Sequence, residues 1–444
     1  MMNEQIPDWK NMDISQEGSE NGKRKGKTVS FTLSEKVNRM RPTFSVLDTK
    51  PSHILDFPLT VQQQLWLLFL LPTIWLILLF IADIATDIAV GVELINEGHY
   101  FAGILTLLFI VLPSLLSYFF RLSEPPDTKE VKVAFTWLSV ETAAFLLFPI
   151  RPLHCFAERL FWSIEAIRLE DPEREEALRE FEDTRVFVIE NYLFTQAFLQ
   201  SGPQAILQIS LLVLGTSKHS STEAVQVICL MTSLASLAWI AASYQRYETQ
   251  VRGGRQQVWS SNDRSLTTLL NLSELDVNSQ QQRSTGIKIM EEDNPIGSIL
   301  LFTFWYFFLF GRILCLVIAF SFFPWAVLGV CLAHYLFNLA YILPTPRLST
   351  LIPVKLILAF VYIFCLVEVR IQFRKSYLFY SLFFFFTIIE NVSLTILWVF
   401  WAKWTGGWYY YYLYSIGISH GMATLFIVIY LKFFKPKIRR IQVN

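Results

Sequence analysis

The sequence predicts an all-α polytopic membrane protein, and three observations support this fold class. Of the 444 residues, 53% are hydrophobic and only 17% are charged. The charged residues lie outside long apolar blocks such as "LWLLFLLPTIWLILLFIA" at 65–82, and blocks of this length are typical of membrane-spanning helices. Basic and acidic residues balance at 37 each, so we expect no polyanionic partner and no nucleic acid.

The alternative fold class is a large soluble protein, and the uninterrupted apolar blocks argue against it. The five cysteines show no CxxC spacing, and no nucleotide-binding motif is present, so we expect neither a metal site, nor a cofactor, nor an enzyme active site. The first 57 residues are polar and carry no cleavable signal peptide, which predicts a disordered cytosolic N-terminal extension, 1–57.

Ten apolar blocks follow the extension. They lie at 61–91, 100–120, 134–150, 188–215, 224–244, 298–321, 324–343, 352–369, 376–402 and 408–431. Lysine and arginine assign the sides of the membrane, because translocated loops are poor in both. The extension holds nine of them and the segment after Tyr430 holds five, so both termini are predicted to be cytosolic.

Two of the blocks cannot cross the membrane if this assignment holds. Blocks 134–150 and 352–369 both begin and end at basic flanks that are predicted to be cytosolic. We therefore expect each to enter the membrane and return on the same side, which is tolerated where protein surrounds the bent backbone. The prediction is eight transmembrane helices plus two re-entrant helices.

The order of crossings and re-entrant segments repeats, which predicts two pseudo-symmetric halves. The echo of "IENYLFT" at 189–195 in "IENVSLT" at 389–395 is faint support for a parallel repeat. The predicted organisation is a first membrane repeat, a cytosolic linker loop, a second membrane repeat and a short cytosolic tail, at 58–244, 245–297, 298–434 and 435–444 respectively.

Several ionisable residues fall inside the apolar blocks, where an unpaired charge is costly. Asp83 and Asp87 are four residues apart and share a helix face. We predict a buried charge network that joins them to Arg312, Glu390 and Asn391. A cation bound by the carboxylates is the alternative, although no EF-hand or DxD spacing supports it.

A row of amides marks block 188–215. Four glutamines recur every four residues, so they wind slowly over one helix face for roughly 18 Å; they are Gln196, Gln200, Gln204 and Gln208. They could hydrogen-bond between helices, or they could offer a polar, uncharged path to a lipid headgroup. Glu190 and Glu141 are further candidates for this lipid path.

The chain resembles the XK-related family, which includes the Kx blood-group protein and the apoptotic phospholipid scramblases. The resemblance rests on "IADIATDIAVGVEL", "LFPIRPL", "YLFTQAFLQSGPQAILQISLLV", "YQRYE" and "IIENVSLTILWVF" in this order. It implies eight crossings, two re-entrant helices and energy-independent exposure of phosphatidylserine at the plasma membrane. It also implies activation by an executioner caspase, and it is compatible with a single-span accessory subunit or a homodimer.

Three aspartates are candidates for caspase cleavage. Asp48 in "FSVLDTK" is preferred, because cleavage there would release the extension; Asp276 in the linker and Asp13 are the rivals. A channel or transporter, or a non-scrambling partner subunit of a surface protein, remains the alternative function.

Overall fold

The computed structural model describes most of the membrane region. The described residues are 53–54, 57–58, 60–123, 131–148, 150–170, 173–174, 176–178, 180–181, 192–252, 286–290, 295–343, 352–367, 376–401, 407, 409–434 and 438–442. They all belong to one compact unit, Val46–Asn444. The cleavage candidates Asp13, Asp48 and Asp276 and the lipid-path candidate Glu190 lie outside the described residues, as does nearly all of the predicted extension.

Eleven helices are distinguished among the described residues. The first six are α1 (Leu71–Asn96, preceded by Val61–Gln64 and the π-helical turn Leu65–Leu70), α2 (Tyr100–Ser123), α3 (Val131–Leu146), α4 (Ile150–Arg168), α5 (Phe194–Gln196 and Gly202–Leu214, joined by the π-helical turn Ala197–Ser201) and α6 (Ser220–Arg252). The other five are α7 (Pro295–Phe322), α8 (Pro324–Ile342), α9 (Ile352–Val361), α10 (Ser376–Trp401) and α11 (Tyr409–Ile429, continued by the π-helical turn Tyr430–Phe434).

Eight of these helices are long and apolar enough to cross a membrane, namely α1, α2, α5, α6, α7, α8, α10 and α11. The predicted number of spans is therefore confirmed. The two blocks predicted to be re-entrant contain α3, of 16 residues, and α9, of 10 residues, both shorter than the ~20 residues that a crossing needs. Re-entry and pseudo-symmetry stay predictions. The amphipathic helix α4 occupies part of a stretch predicted as an internal loop.

Among the described residues, four short strands lie outside the spans. His53–Ile54 (β1) pairs antiparallel with Phe57–Pro58 (β2), at the end of the predicted extension. Gly286–Met290 (β3) pairs antiparallel with Ile438–Gln442 (β4), so the predicted linker meets the predicted tail. Helix α6 continues to Arg252 and α7 begins at Pro295, so both helices extend into the segment predicted as the linker.

Helix α7 is the centre of the bundle. Of its most apolar window, 72% is buried, against 22–50% for the other seven spans. It packs against α5 and α6 of the first half and against α8, α10 and α11 of the second half. Elsewhere, α1 and α2 approach closely at Gly103, where an added Cβ would lie 2.7 Å from the Gly91 carbonyl oxygen. Small residues allow such contacts between membrane helices.

Candidate functional site

The two aspartates of α1 face α5 and α6 and are completely buried. The Ser201 hydroxyl donates to Asp83 Oδ2 at 3.0 Å, and Gln196 Nε2 donates to the same oxygen at 3.5 Å. The Ser233 hydroxyl donates to Asp83 Oδ1 at 3.0 Å. Neutral donors from two other helices therefore stabilise this carboxylate.

Asp87 is held in the same way, one turn further along α1. Gln200 Nε2 donates to its Oδ2 at 2.9 Å, and the Cys229 thiol donates to its Oδ1 at 3.0 Å. Cys229 Sγ in turn accepts from Gln204 Nε2 at 3.5 Å. The four-residue spacing recognised in the sequence therefore aligns two aspartates of α1 with successive glutamines of α5.

The π-helical turn of α5 explains why a serine joins the glutamines. Pro203 has no N–H to donate, and the Gly202 N–H bonds to the carbonyl of Ala197, five residues back. The wider turn changes the rotation between successive side chains. It thereby allows both Gln200 and Ser201 to face α1.

A polar face of α6, which our sequence reasoning missed, completes the site. Its members recur at intervals of four, three and four residues and are completely buried; they are Thr222, Gln226, Cys229 and Ser233. That spacing marks one face of a helix and could have been recognised in the sequence. We call the whole set the polar seam, comprising Asp83, Asp87, Gln196, Gln200, Ser201, Gln204, Gln208, Thr222, Gln226, Cys229 and Ser233, each at most 3% exposed.

Glu97 ties together the loops at the predicted external end of the polar seam. Its carboxylate accepts the Thr222 hydroxyl at 2.6 Å and the backbone N–H groups of Lys218 at 3.0 Å and His219 at 3.2 Å. These hydrogen bonds, with that from Thr222 the strongest, hold the pKa of Glu97 below its ordinary value. The Lys218 ammonium also donates to the Glu97 carbonyl at 2.7 Å.

The polar seam contains more hydrogen-bonding atoms than the described residues satisfy. Both polar atoms of the Gln208 side chain lack a partner. So do the Oε1 atoms of Gln196, Gln200 and Gln204, and Gln226 Nε2. Thr106 Oγ1 on α2 is also buried and unpaired, and a Cβ added to Gly91 of α1 would lie 3.3 Å from its Cγ2.

Arg312 belongs to a separate cluster, which corrects the predicted charge network. Arg312 NH2 donates to Glu390 Oε2 at 2.5 Å, and NH1 donates to Asn391 Oδ1. Among the described residues, no hydrogen bond or ion pair joins Arg312 to Asp83 or Asp87. Arg312 lies on α7 and bonds to side chains of α10 in its own half. Asp83 and Asp87 instead accept hydrogen bonds from side chains of α5 and α6. The predicted residues therefore divide into two clusters.

Four more contacts complete the Arg312 cluster, which comprises Arg312, His334, Glu390, Asn391 and His420. His334 Nδ1 lies 2.9 Å from Glu390 Oε2. His420 Nδ1 faces the Ile416 carbonyl at 2.9 Å and must donate to it, so Nε2 accepts from Asn391 Nδ2 at 2.8 Å. Arg312 Nε donates to the carbonyl of Ile363 at 3.3 Å, just beyond the end of α9.

Gly311 allows His420 to reach this cluster. A Cβ added to Gly311 would lie 2.6 Å from His420 Cε1 and 2.7 Å from its Nδ1. The absence of a side chain therefore sets the distance between α7 and α11 at the level of the arginine.

The remaining lipid-path candidate, Glu141, is buried on α3, which packs against α2. In the part of the chain that the structure describes, no three His, Cys, Asp or Glu side chains are grouped so that they could hold a metal ion.

Eight span-length helices around two buried polar clusters define a polytopic α-helical membrane protein. The family model described as XK-related protein matches residues 71–268 and 280–436. This match covers most of the chain, including both clusters. The chain belongs to the XK-related family.

Proposed function

We propose that this protein is a phospholipid scramblase of the plasma membrane, with both termini in the cytosol, that exposes phosphatidylserine during apoptosis. The observation that carries the proposal is the row of four buried glutamines beside two buried aspartates. Amide groups can donate to a phosphate and accept from an ammonium group, so they suit a zwitterionic or anionic headgroup.

The unpaired amide atoms would lower the free-energy cost of opening such a path. Separating helices whose polar atoms are all satisfied costs every hydrogen bond between them. The oxygen atoms of Gln196, Gln200 and Gln204 have no donor among the protein's described groups, so a headgroup entering between α1, α5 and α6 could bond to them without displacing a protein group. A lipid could then cross with its headgroup in the seam and its acyl chains in the bilayer.

The seam is closed in this structure, since each of its residues is at most 3% exposed. An off state of this kind is what a regulated scramblase requires, because a permanently open path would abolish lipid asymmetry. We propose that an executioner caspase releases the off state by cleaving after Asp48, with Asp276 and Asp13 as the alternative sites.

The test is a scrambling assay in liposomes that contain a fluorescent phospholipid, with a membrane-impermeant quencher added outside. We expect the caspase-treated protein to scramble without an ion gradient or ATP, and the untreated protein to scramble more slowly. Replacing Gln204 and Gln208 by leucine should slow the treated protein. The matched control is Ser393→Leu, at an exposed position on α10, which should leave the rate unchanged.

Two results would overturn this proposal. If the cleaved protein reconstitutes as a monodisperse species and moves no lipid, the chain is not a scramblase by itself. If the double leucine variant scrambles at the parental rate, the glutamines only join helices. Sequencing the fragments shows whether cleavage follows Asp48, and an Asp48→Glu variant should resist both cleavage and activation.

A further inference from the structure

The aspartates determine which way the neighbouring amides point. The NH₂ groups of Gln196 and Gln200 face Asp83 and Asp87, which is the orientation that an ionised carboxylate requires because it can only accept hydrogen bonds. The Oε1 atoms then point elsewhere and find no donor. Turning either amide around would break its hydrogen bond to the aspartate and would present oxygen to an ionised carboxylate.

Gln204 is fixed by a similar chain of donors. The Cys229 thiol uses its hydrogen on Asp87 Oδ1, so Sγ is left to accept from Gln204 Nε2. This again leaves Gln204 Oε1 without a donor. Three successive amide oxygens along α5 are therefore unpaired, because each amide directs its NH₂ group toward an acceptor on α1 or α6.

Unpaired amide atoms are also present nearer the predicted external end of the polar seam. Helices α5 and α6 follow each other in the chain and meet where Gln204 contacts Cys229. One turn onward, α5 carries Gln208 and α6 carries Gln226, which the antiparallel arrangement places at the same level. Gln208 is unpaired at both ends, and Gln226 accepts from Ser217 at 2.7 Å but has an unpaired NH₂ group.

Buried polar atoms in proteins are almost always paired, and water supplies the partner where side chains do not. We infer that the polar seam binds a row of internal water molecules beside Asp87, Gln204, Gln208 and Gln226. Water is the fitting ligand because the unpaired set includes both donors and acceptors. Such water would be bound whether or not the protein transports lipid.

The Arg312 cluster provides a control for this reasoning. It is somewhat more exposed than the polar seam, with the Glu390 side chain 18% exposed, and none of its five described residues has an unpaired buried side-chain atom. Cys315 is completely buried and contacts it, with Sγ 3.3 Å from the Asn391 carbonyl. Cys365 is also completely buried and provides an apolar control. The chain thus offers three buried thiols with different predicted hydration.

The experiment is X-ray radiolytic labelling of the full-length protein in nanodiscs, followed by mass spectrometry. Hydroxyl radicals formed from bound water oxidise adjacent side chains, and thiols react readily. We expect Cys229 to be oxidised several-fold faster than either Cys315 or Cys365. In a Gln208→Leu, Gln226→Leu variant, labelling of Cys229 should fall while that of Cys315 and Cys365 stays the same.

Equal and low labelling of the three thiols in the unaltered protein would overturn the inference, and this comparison needs no variant to fold. Faster labelling of Cys229 that is unaffected in a folded leucine variant would also overturn the proposed position of the water. The scrambling assay is a separate measurement. Fast labelling of Cys229 in a protein that does not scramble would support the water and reject the proposed function.

Discussion

The Arg312 cluster and the polar seam stabilise ionisable groups inside the membrane region in different ways. Both keep ionisable groups out of contact with lipid, which is necessary because an isolated charge in the bilayer is costly. The Arg312 cluster pairs a cation with Glu390 and leaves no fully buried side-chain atom of its five residues unpaired. The polar seam surrounds two carboxylates with neutral hydroxyl, thiol and amide donors, and several of its amide atoms remain unpaired.

This difference indicates different roles. A network built on a charged pair, with its buried atoms paired, holds its helices in one arrangement, because each displacement breaks a charged hydrogen bond. A set of neutral donors with spare bonding capacity loses less when it is rearranged. We therefore expect the Arg312 cluster to stabilise the second half and the polar seam to be the part that changes.

The largest expected effect follows from removing the cation of the Arg312 cluster. Arg312→Leu leaves Glu390, whose side chain is only 18% exposed, beside His334 without its guanidinium partner. Breaking a buried pair from one side costs about 3–5 kcal/mol, and the partial exposure of Glu390 places this variant at the lower end of that range. We expect a corresponding loss in the free energy of unfolding, measured by thermal denaturation of the purified protein in detergent.

A double-mutant cycle with Glu390→Leu tests whether the two groups act as a pair. Removing both should cost less than the sum of the single changes, because no charge is then left unpaired. Simple additivity would contradict the pairing. Asp87→Leu combined with Arg312→Leu is the matched cycle across the two clusters, and there we expect additivity.

The next largest loss of stability is expected where α7 and α11 are in close contact. Gly311→Ala places a methyl group against the His420 ring and should push it away from Asn391. Forcing extra volume into a packed site costs about 1–3 kcal/mol. Gly421→Ala on α11 is the control, because an added Cβ there meets nothing within 4 Å; replacing a helical glycine at such a site should stabilise slightly. Equal unfolding temperatures for the two variants would count against the close contact.

The sequence was sufficient for much of the fold, since apolar block length sets the eight spans. It was also sufficient to select Asp83, Asp87, Arg312 and the glutamine row as exceptional, because polar residues in apolar blocks need partners. It did not identify the partners. Arg312 could have met either acidic group, and only the packing of α7 against α10 decides for Glu390. Thr222 and Ser233 were missed because such residues are common on membrane helices for many reasons.

A smaller effect is expected from neutralising one aspartate of the polar seam. Asp87→Asn keeps the shape of the side chain, and its new NH₂ group can donate to an unpaired amide oxygen such as Gln200 Oε1. We expect the free energy of unfolding to change by no more than about 1 kcal/mol, which is the net contribution of a typical hydrogen bond. A loss as large as that of Arg312→Leu would show that the seam depends on charge and would remove the contrast between the clusters.

The smallest expected effect on stability is local and depends on the ionisation of Glu97, which lies at the predicted external end of the polar seam. Its folded-state pKa is lowered from an ordinary value of 4.5 by the hydroxyl of Thr222 and the N–H groups of Lys218 and His219. The stabilisation that accompanies this shift is therefore complete above pH 4.5 and is lost as the pH falls through the lowered pKa.

Backbone hydrogen exchange at Lys218 and His219 measures this contribution, because both N–H groups donate to the Glu97 carboxylate. The control is Glu97→Gln, compared at each pH so that the intrinsic pH dependence of exchange cancels. Near neutral pH the unaltered protein should be the better protected of the two, since an ionised acceptor forms the stronger hydrogen bond. As the pH falls through the folded-state pKa the carboxylate becomes neutral like the amide, and the difference should vanish. A constant difference at every pH would mean that the carboxylate charge does not hold these loops, whereas exchange around Arg312 should be the same in both proteins throughout.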